Sequence, residues 1–366
     1  MPNAPLGGFV TLLGVHSAGV GAVTSPLRAP FSRFEGTTGP AGLEEDAPGW
    51  TTTPLLGQPG FAGETPFAGS REGKPLSMRL TQAMHAMEAL EGQDRLDGLA
   101  DSLRRVVRAL PLGAGRDVLR GLWLGHPLHP ALVQVPIGAW TSAAVLDLLP
   151  GESRAARRMV ALGLAGAGPA ALAGWVDWAE LRPRQARVGV VHAAANVTAV
   201  AAYAGSLAAR MNDRPALGRA LGFAGLTVAT VGGILGGHLA YRQAAGVNHA
   251  EAVPLLVEPG WHRLGDLAEF PVGEPRRRMV DEVPVLVVRE PGDVVHVLAD
   301  RCSHLSGPLS EGKLTDDGCI ECPWHGSLFR LSDGANLHGP ATAPQPTFVS
   351  RVTAEGQVEV RLPEQD

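Results

Sequence analysis

"CSHLSGPLSEG" (residues 302–312) and "CPWHGSLFRLSDG" (residues 322–334) hold two of the chain's three cysteines, each with a histidine close behind it. The third, Cys319, shortly precedes the second stretch. Thiolates bind soft or borderline metal ions and imidazoles borderline ones, so Cys302, His304, Cys322 and His325 read as a ligand set. Two chemistries use two of each. One zinc ion takes all four, or a [2Fe–2S] cluster takes the thiolates on one iron and the imidazoles on the other. Each half here carries one Cys and one His, followed by small or turn-forming residues, Ser306-Gly307-Pro308 and Gly326-Ser327. Two such loops can close over a cluster from either side and aim backbone N–H groups at its sulfides. Cys319 forms C-x-x-C with Cys322, a possible redox pair, but the ligand set is complete without it. It ends an apolar, strand-like piece and reads as a buried free thiol.

Together with the proline-rich "GPATAPQP" (residues 339–346), these stretches resemble the Rieske family over roughly residues 253–363. The resemblance implies an all-β domain in which Cys302 and Cys322 hold one iron and His304 and His325 the other. It implies that single electrons enter and leave through imidazole edges near the surface, with Leu305, Trp324 and Pro340 as a dry cover. Ser327 is placed to donate a hydrogen bond to a cluster sulfur. The loop-to-loop disulfide of quinol-oxidising members cannot form, because Ser306 or its neighbours and Trp324 stand at the corresponding places, and Phe329 replaces a tyrosine that bonds a cluster thiolate. Fewer hydrogen bonds to sulfur imply a lower potential, so the likeness is nearer to Rieske ferredoxins and oxygenase-associated domains. "VPVLVVRE", "DVVHVLAD", "TFVSRVTA" and "QVEVRLP" are short Val-rich runs bounded by turn formers, and predict strands. His262 and His296 fall in or beside strand-like sequence and are not expected as ligands.

Outward from this domain the composition changes. The 366 residues suggest several domains, and a net charge of −5 gives no argument for nucleic acid. Mean hydropathy is +0.06 with 18% charged residues, and the charges are sparse in the middle of the chain. Four nearly charge-free stretches, about 131–149, 159–178, 188–209 and 219–241, predict a four-helix transmembrane bundle. Gly232/Gly236 and Gly233/Gly237 repeat the G-x-x-x-G spacing of close helix packing in lipid, and Trp123, Trp140, Trp175 and Trp178 lie mostly near span ends. A soluble Ala-rich bundle is the alternative. "GHPLHPALVQVPIG", "GWVDW", "HAAANV" and "GHLAYR" resemble a family of small four-span bacterial membrane domains of unassigned function, over roughly residues 122–243.

Four alternating spans put His126, His129, His192 and His238 at one membrane face, with Asp177, Asn196 and His249, while Asp147 is left toward the other. A haem held by two of these histidines, a quinone site, or a hydrogen-bond network tying helix ends together are the readings this leaves open. Leu90, Leu96, Leu99, Leu103, Val106, Val107 and Leu110 recur at helical spacing, so residues 78–121 predict an amphipathic segment lying on the membrane or against the Rieske domain. Residues 1–77, rich in Gly, Pro and Thr, read as disordered or as an over-called start. Arginines near span ends divide evenly between the faces, so the positive-inside rule is silent. An even number of spans, an untranslocated N-terminus and the missing disulfide predict a multi-pass cell-membrane protein with its Rieske domain (250–363) in the cytoplasm.

The expected function is a membrane-tethered Rieske electron-transfer protein working with a redox-protein donor or acceptor. The rivals are a quinol- or haem-dependent reductase and a redox sensor. A mononuclear-iron oxygenase is disfavoured, because no 2-His-1-carboxylate set in a separate substrate domain is visible.

Overall fold

The computed structural model describes residues 85–364. The segment 1–77 and the start of the 78–121 segment lie outside them. After a helical stretch at residues 85–91, helix α1 (Asp97–Ala109) buries Ala100 and Val107. Its partners are Trp178, Ala179, Ala186 and Val190, with Leu103 packed beside them. Arg187 grips Asp97 through two 2.7 Å bonds, and Arg108 reaches Glu180 at 2.8 Å. The amphipathic segment therefore docks on the helical half of the chain. Leu99 and Val106, on its other side, are exposed.

The helical half continues through α2 (Gly115–Arg120), α3 (His129–Leu132), α4 (Gln134–Asp147), α5 (Ser153–Trp178), α6 (Pro183–Met211) and α7 (Pro215–Gly237), which runs into a π-helical turn at His238–Arg242. Among the described residues, three helical segments are long and apolar enough to cross a membrane: Ser153–Trp178, Pro183–Met211 and Pro215–Arg242. The expected fourth span, 131–149, is divided. Pro136 has no N–H to give the carbonyl of Leu132, and the helix breaks at Val133 between α3 and α4. The continuous α4 rises about 21 Å at 1.5 Å per residue, short of a hydrocarbon core of about 30 Å. It buries the stripe Pro136, Ala139, Trp140, Ala143 and Asp147. Ile137, Val145 and Leu148 on its other side are exposed.

Asp147 is not stranded. Arg210, near the end of α6, meets its carboxylate with two bonds of 2.8 and 2.5 Å, and both side chains are 3% exposed. Ser206 accepts from Arg210 Nε and donates to Gly218 O at 2.6 Å, tying α6 to α7 at the same point.

From residue 262 the chain is β. The first sheet has the order β1 (His262–Asp266), β10 (Gln357–Arg361), β9 (Thr347–Val352), β4 (Val295–Ala299), β3 (Val283–Arg289), β2 (Arg276–Val280). The second has the order β5 (Lys313–Thr315), β6 (Cys319–Glu321), β7 (Leu328–Arg330), β8 (Asn336–His338). All these pairings are antiparallel. Strand β3 is buried on both faces, and its period of two serves two cores. Val283, Val285 and Val287 join Phe270, Val297 and Val358, while Leu286 and Val288 join Leu298, Leu309, Ile320 and Phe329. Cys302 and Cys322 belong to that second core, so the candidate ligands stand on packed apolar ground.

Candidate metal centre

Two loops of the β domain carry the candidate ligands, one leaving β4 and one joining β6 to β7, and they are built alike. Cys302 N–H donates to Gly307 O at 2.8 Å while Cys302 O accepts from Ser306 N–H at 2.8 Å. In the second loop Cys322 N–H donates to Ser327 O at 2.8 Å and Cys322 O accepts from Gly326 N–H at 3.0 Å. The residue four past each cysteine lies in the left-handed region, Ser306 at φ 64° and Gly326 at φ 69°. A serine there costs about 1 kcal/mol or more of backbone strain that the glycine avoids. In each loop the turn directs two N–H groups at the cysteine sulfur: those of His304 and Leu305 at Cys302, and those of Trp324 and His325 at Cys322.

The loops come into contact. A Cβ on Gly307 would lie 2.9 Å from Cys322 Sγ and 3.1 Å from the Trp324 ring, so this approach needs glycine. The Cys302 thiol donates to Cys322, which holds the Cys302 proton on and pushes its pKa up; burial acts the same way. Cys322 falls to about 7, first through that hydrogen bond and then through the Trp324 and His325 N–H groups, against burial. His304 falls to about 3, mainly by burial and then by the positive groups around it, beginning with His325 and Arg120. Burial lowers His325 too. Both imidazoles are therefore neutral at pH 7 and offer lone pairs to a metal.

The rings of His304 and His325 have centroids 5.0 Å apart with planes at 86°. Two imidazoles sharing one tetrahedral metal at N–metal distances of about 2.0–2.1 Å have ring centres about 5 Å apart. Among the described residues, buried His304 Nδ1 has no hydrogen-bond partner, the mark of a nitrogen reserved for something else. Among the described residues, no three His, Cys, Asp or Glu side chains converge on a single ion. Structural zinc asks for four protein ligands at one point, whereas a [2Fe–2S] cluster asks for two at each iron. The arrangement fits the cluster.

Leu305 is buried, Pro340 half-buried and Trp324 51% exposed. Ser327 is fully buried. Its Oγ accepts the Ala341 N–H at 3.0 Å, leaving its own proton for another acceptor. Gly339 lets the covering loop run against the second ligand loop, since a Cβ there would lie 2.5 Å from Ser327 Cα. The sequence did not single out Gln345, the residue that fixes the first loop. Only 2% exposed, it accepts Ser303 N–H at 3.1 Å and donates to the carbonyls of Ala299 and Arg301 at 2.7 Å each. Its one sequence signal is a lone amide between two prolines. Cys319 is a buried free thiol in β6 whose sulfur faces Asp317 O at 3.6 Å. His262 bonds Glu258 O, and His296 lies 3.2 Å from Glu290, both away from the ligand loops.

The helical histidines do not form one group. His129 and His192 come together, with centroids 6.3 Å apart and planes at 85°. Each donates from Nδ1 at 2.8 Å to a backbone carbonyl, of Ala170 and of Gly232 respectively. Asn196 lies against His192 Nε2 at 3.1 Å. His238 instead meets Glu91 at 2.8 Å, and His126 is exposed beside Pro127 O. Sequence position had placed all four at one face; the side chains separate them.

Comparison with known proteins agrees with both halves. The family described as Rieske [2Fe–2S] domain matches residues 260–349, and that described as predicted membrane protein (DUF2231) matches residues 125–249. The ferredoxin subunit of anthranilate 1,2-dioxygenase from Burkholderia cepacia is 40% identical over 102 residues, 28% of this chain and 92% of that protein. The ferredoxin subunit of 3-phenylpropionate/cinnamic acid dioxygenase from Escherichia coli K12 is 39% identical over 98 residues, 27% of this chain and 90% of that one. Among solved structures, the ferredoxin of carbazole 1,9a-dioxygenase from Nocardioides aromaticivorans IC177 is 29% identical, with 28% of this chain and 98% of that chain covered and a TM-score of 0.27.

Proposed function

Because the chain belongs, through its C-terminal domain, to the Rieske [2Fe–2S] ferredoxin family, we propose that it is a membrane-tethered one-electron carrier. Cys302 and Cys322 hold one iron and His304 and His325 the other. The observation that carries this assignment is the orphaned, buried Nδ1 of His304 beside His325, at a spacing two ligands of one metal adopt. When bound, the cluster supplies reversible one-electron chemistry. The chain's own residues fix its surroundings: four backbone N–H groups face the two ligand sulfurs, Ser327 keeps a hydroxyl proton free, and Leu305 and Pro340 limit water. The electron is exchanged with a redox protein, as the ferredoxin-subunit relatives suggest. Metal analysis and a reduced-minus-oxidised spectrum of the purified full-length protein test the reading. About two irons and two sulfides per chain, with broad bleaching on reduction, are expected. Stoichiometric zinc instead of iron overturns it.

A haem or quinone at the helical histidines is the second reading, and it rests on the His129–His192 pair, whose Nδ1 atoms are already committed to carbonyls as metal-ligating histidines usually are. A sharp band in the same spectrum, lost in His192→Leu, supports haem. A spectrum without it, from protein made in haem-replete cells, removes haem.

The tether is the helical half, with α3 and α4 together as a fourth crossing; residues 129–147 rise about 28 Å. Four crossings leave the Rieske domain on the face where the chain enters the bundle, which we take as cytoplasmic. A fluorescent protein fused to the C-terminus should then glow, and alkaline phosphatase fused there should be inactive. The opposite pattern overturns the orientation.

A further inference from the structure

The edge through which a Rieske cluster exchanges electrons faces the chain's own helical half. Arg182, in the turn between α5 and α6, has its backbone fixed: its N–H donates to Gln185 Oε1 at 2.9 Å, and Gln185 is itself anchored on Gln243 O at 2.8 Å. From this mount its guanidinium donates to Leu305 O and lies 5.9 Å from the centre of the Trp324 ring. One side chain thus touches both ligand loops, each at the immediate neighbour of an imidazole ligand. A second contact joins Asp117 of α2 to His338 at the end of β8, at 2.5 Å. A third comes from the connecting segment, where His249 N–H donates to Ser303 O at 2.9 Å. The charges bearing on the two imidazoles come largely from the same half: Arg104, Arg108, Arg120, Glu180 and Arg182.

We propose that Arg182, in the turn between α5 and α6, is a built-in docking partner that latches the cluster's imidazole edge, and that a soluble redox protein reaches the edge when this contact opens. The proposal rests on the Rieske reading above. The contacts are few and polar, unlike the apolar cores of either half, and interfaces of that kind open and close readily. The helical half therefore gates the cluster as well as anchoring it. Arg182 is a positioning residue: it binds the loops and not the metal.

The test uses the full-length holoprotein in detergent, reduced with dithionite and freed of excess reductant. One electron then passes from the reduced cluster either to the ferric haem of cytochrome c, a protein oxidant, or to hexaammineruthenium(III), a small one. No proton or bond change is involved. Stopped-flow traces should show cytochrome c oxidising Arg182→Ala about tenfold faster than the wild type, because the rate follows the open fraction. The ruthenium rate should change by less than about twofold, since a small ion needs no docking surface. Asp117→Asn should move the cytochrome c rate the same way by a smaller factor, and it decides the matter if Arg182→Ala fails to assemble. Equal cytochrome c rates in wild type and cluster-containing variants overturn the proposal. A wild type without a cluster spectrum overturns the Rieske reading, a separate failure visible before any kinetics.

Discussion

Cys322→Ser yields a chain without the iron–sulfur chromophore and with a Rieske domain that no longer melts as a unit. The sulfur has two duties. It is one of four proposed ligands, and it packs in the core with Leu309, Ile320 and Phe329. The two ligand loops join different pairs of strands, and the cluster is proposed to staple them. Binding energy at a structural metal site is folding energy, on the order of 10 kcal/mol, so its loss exceeds what a small β domain keeps in reserve. Cys319→Ser is the control. That thiol is equally buried, yet it stands in β6 facing Asp317 O, and its variant should keep about two irons per chain. Iron analysis and thermal melts followed at the cluster absorbance read both outcomes. Iron lost equally from both variants would put Cys319 among the ligands and break the assignment.

Arg210→Leu has the second large effect, in the other half of the chain. It leaves the Asp147 carboxylate, 3% exposed, without its bidentate partner at the point where α4, α6 and α7 meet. Breaking one side of a buried ion pair costs about 3–5 kcal/mol, and the half-exposed Arg219, 4.0 Å from the same carboxylate, holds the cost toward the lower figure. For a chain of this size that lowers the melting temperature by about 10 °C. Removing both charges, in Asp147→Leu with Arg210→Leu, should recover most of the loss, because no uncompensated charge remains. Circular dichroism melts in detergent compare the three proteins. A double variant no more stable than the single one would show that packing around Gly218, and not charge, sets the cost. Arg210 Cγ lies 2.5 Å from where a Gly218 Cβ would stand, so packing is the serious rival.

The β domain and its candidate ligand loops were legible because the chemistry is local. Two short stretches hold Cys302, His304, Cys322 and His325, and the turn formers beside them are the ones the loops need. Cys319 read correctly as a buried free thiol in a strand. Less of the helical half was legible. Hydropathy counted four spans, but it does not register that Pro136 interrupts the ladder at Val133 and shortens the first of them. Face-counting set Asp147 apart from the histidines but did not name its partner, which sits sixty-three residues away near the end of α6. The same counting merged four histidines into one cluster, since it fixes depth along the bundle and not direction around each helix. His238 turns to Glu91 and His126 to solvent, leaving His129 with His192.

By itself, the sequence determined that this chain carries a Rieske domain of β structure behind a run of apolar helices. Thiolates and imidazoles at those spacings, and charge-free lengths near twenty residues, admit few other uses. The tertiary structure decided what the imidazole edge faces. That depends on Arg182 meeting Leu305 and Trp324 across more than a hundred residues of chain, with Asp117 meeting His338 across two hundred and twenty-one. Such contacts have no local signature. An arginine after a helix end and an aspartate within a short helix look like ordinary surface charges until folding brings the two halves together.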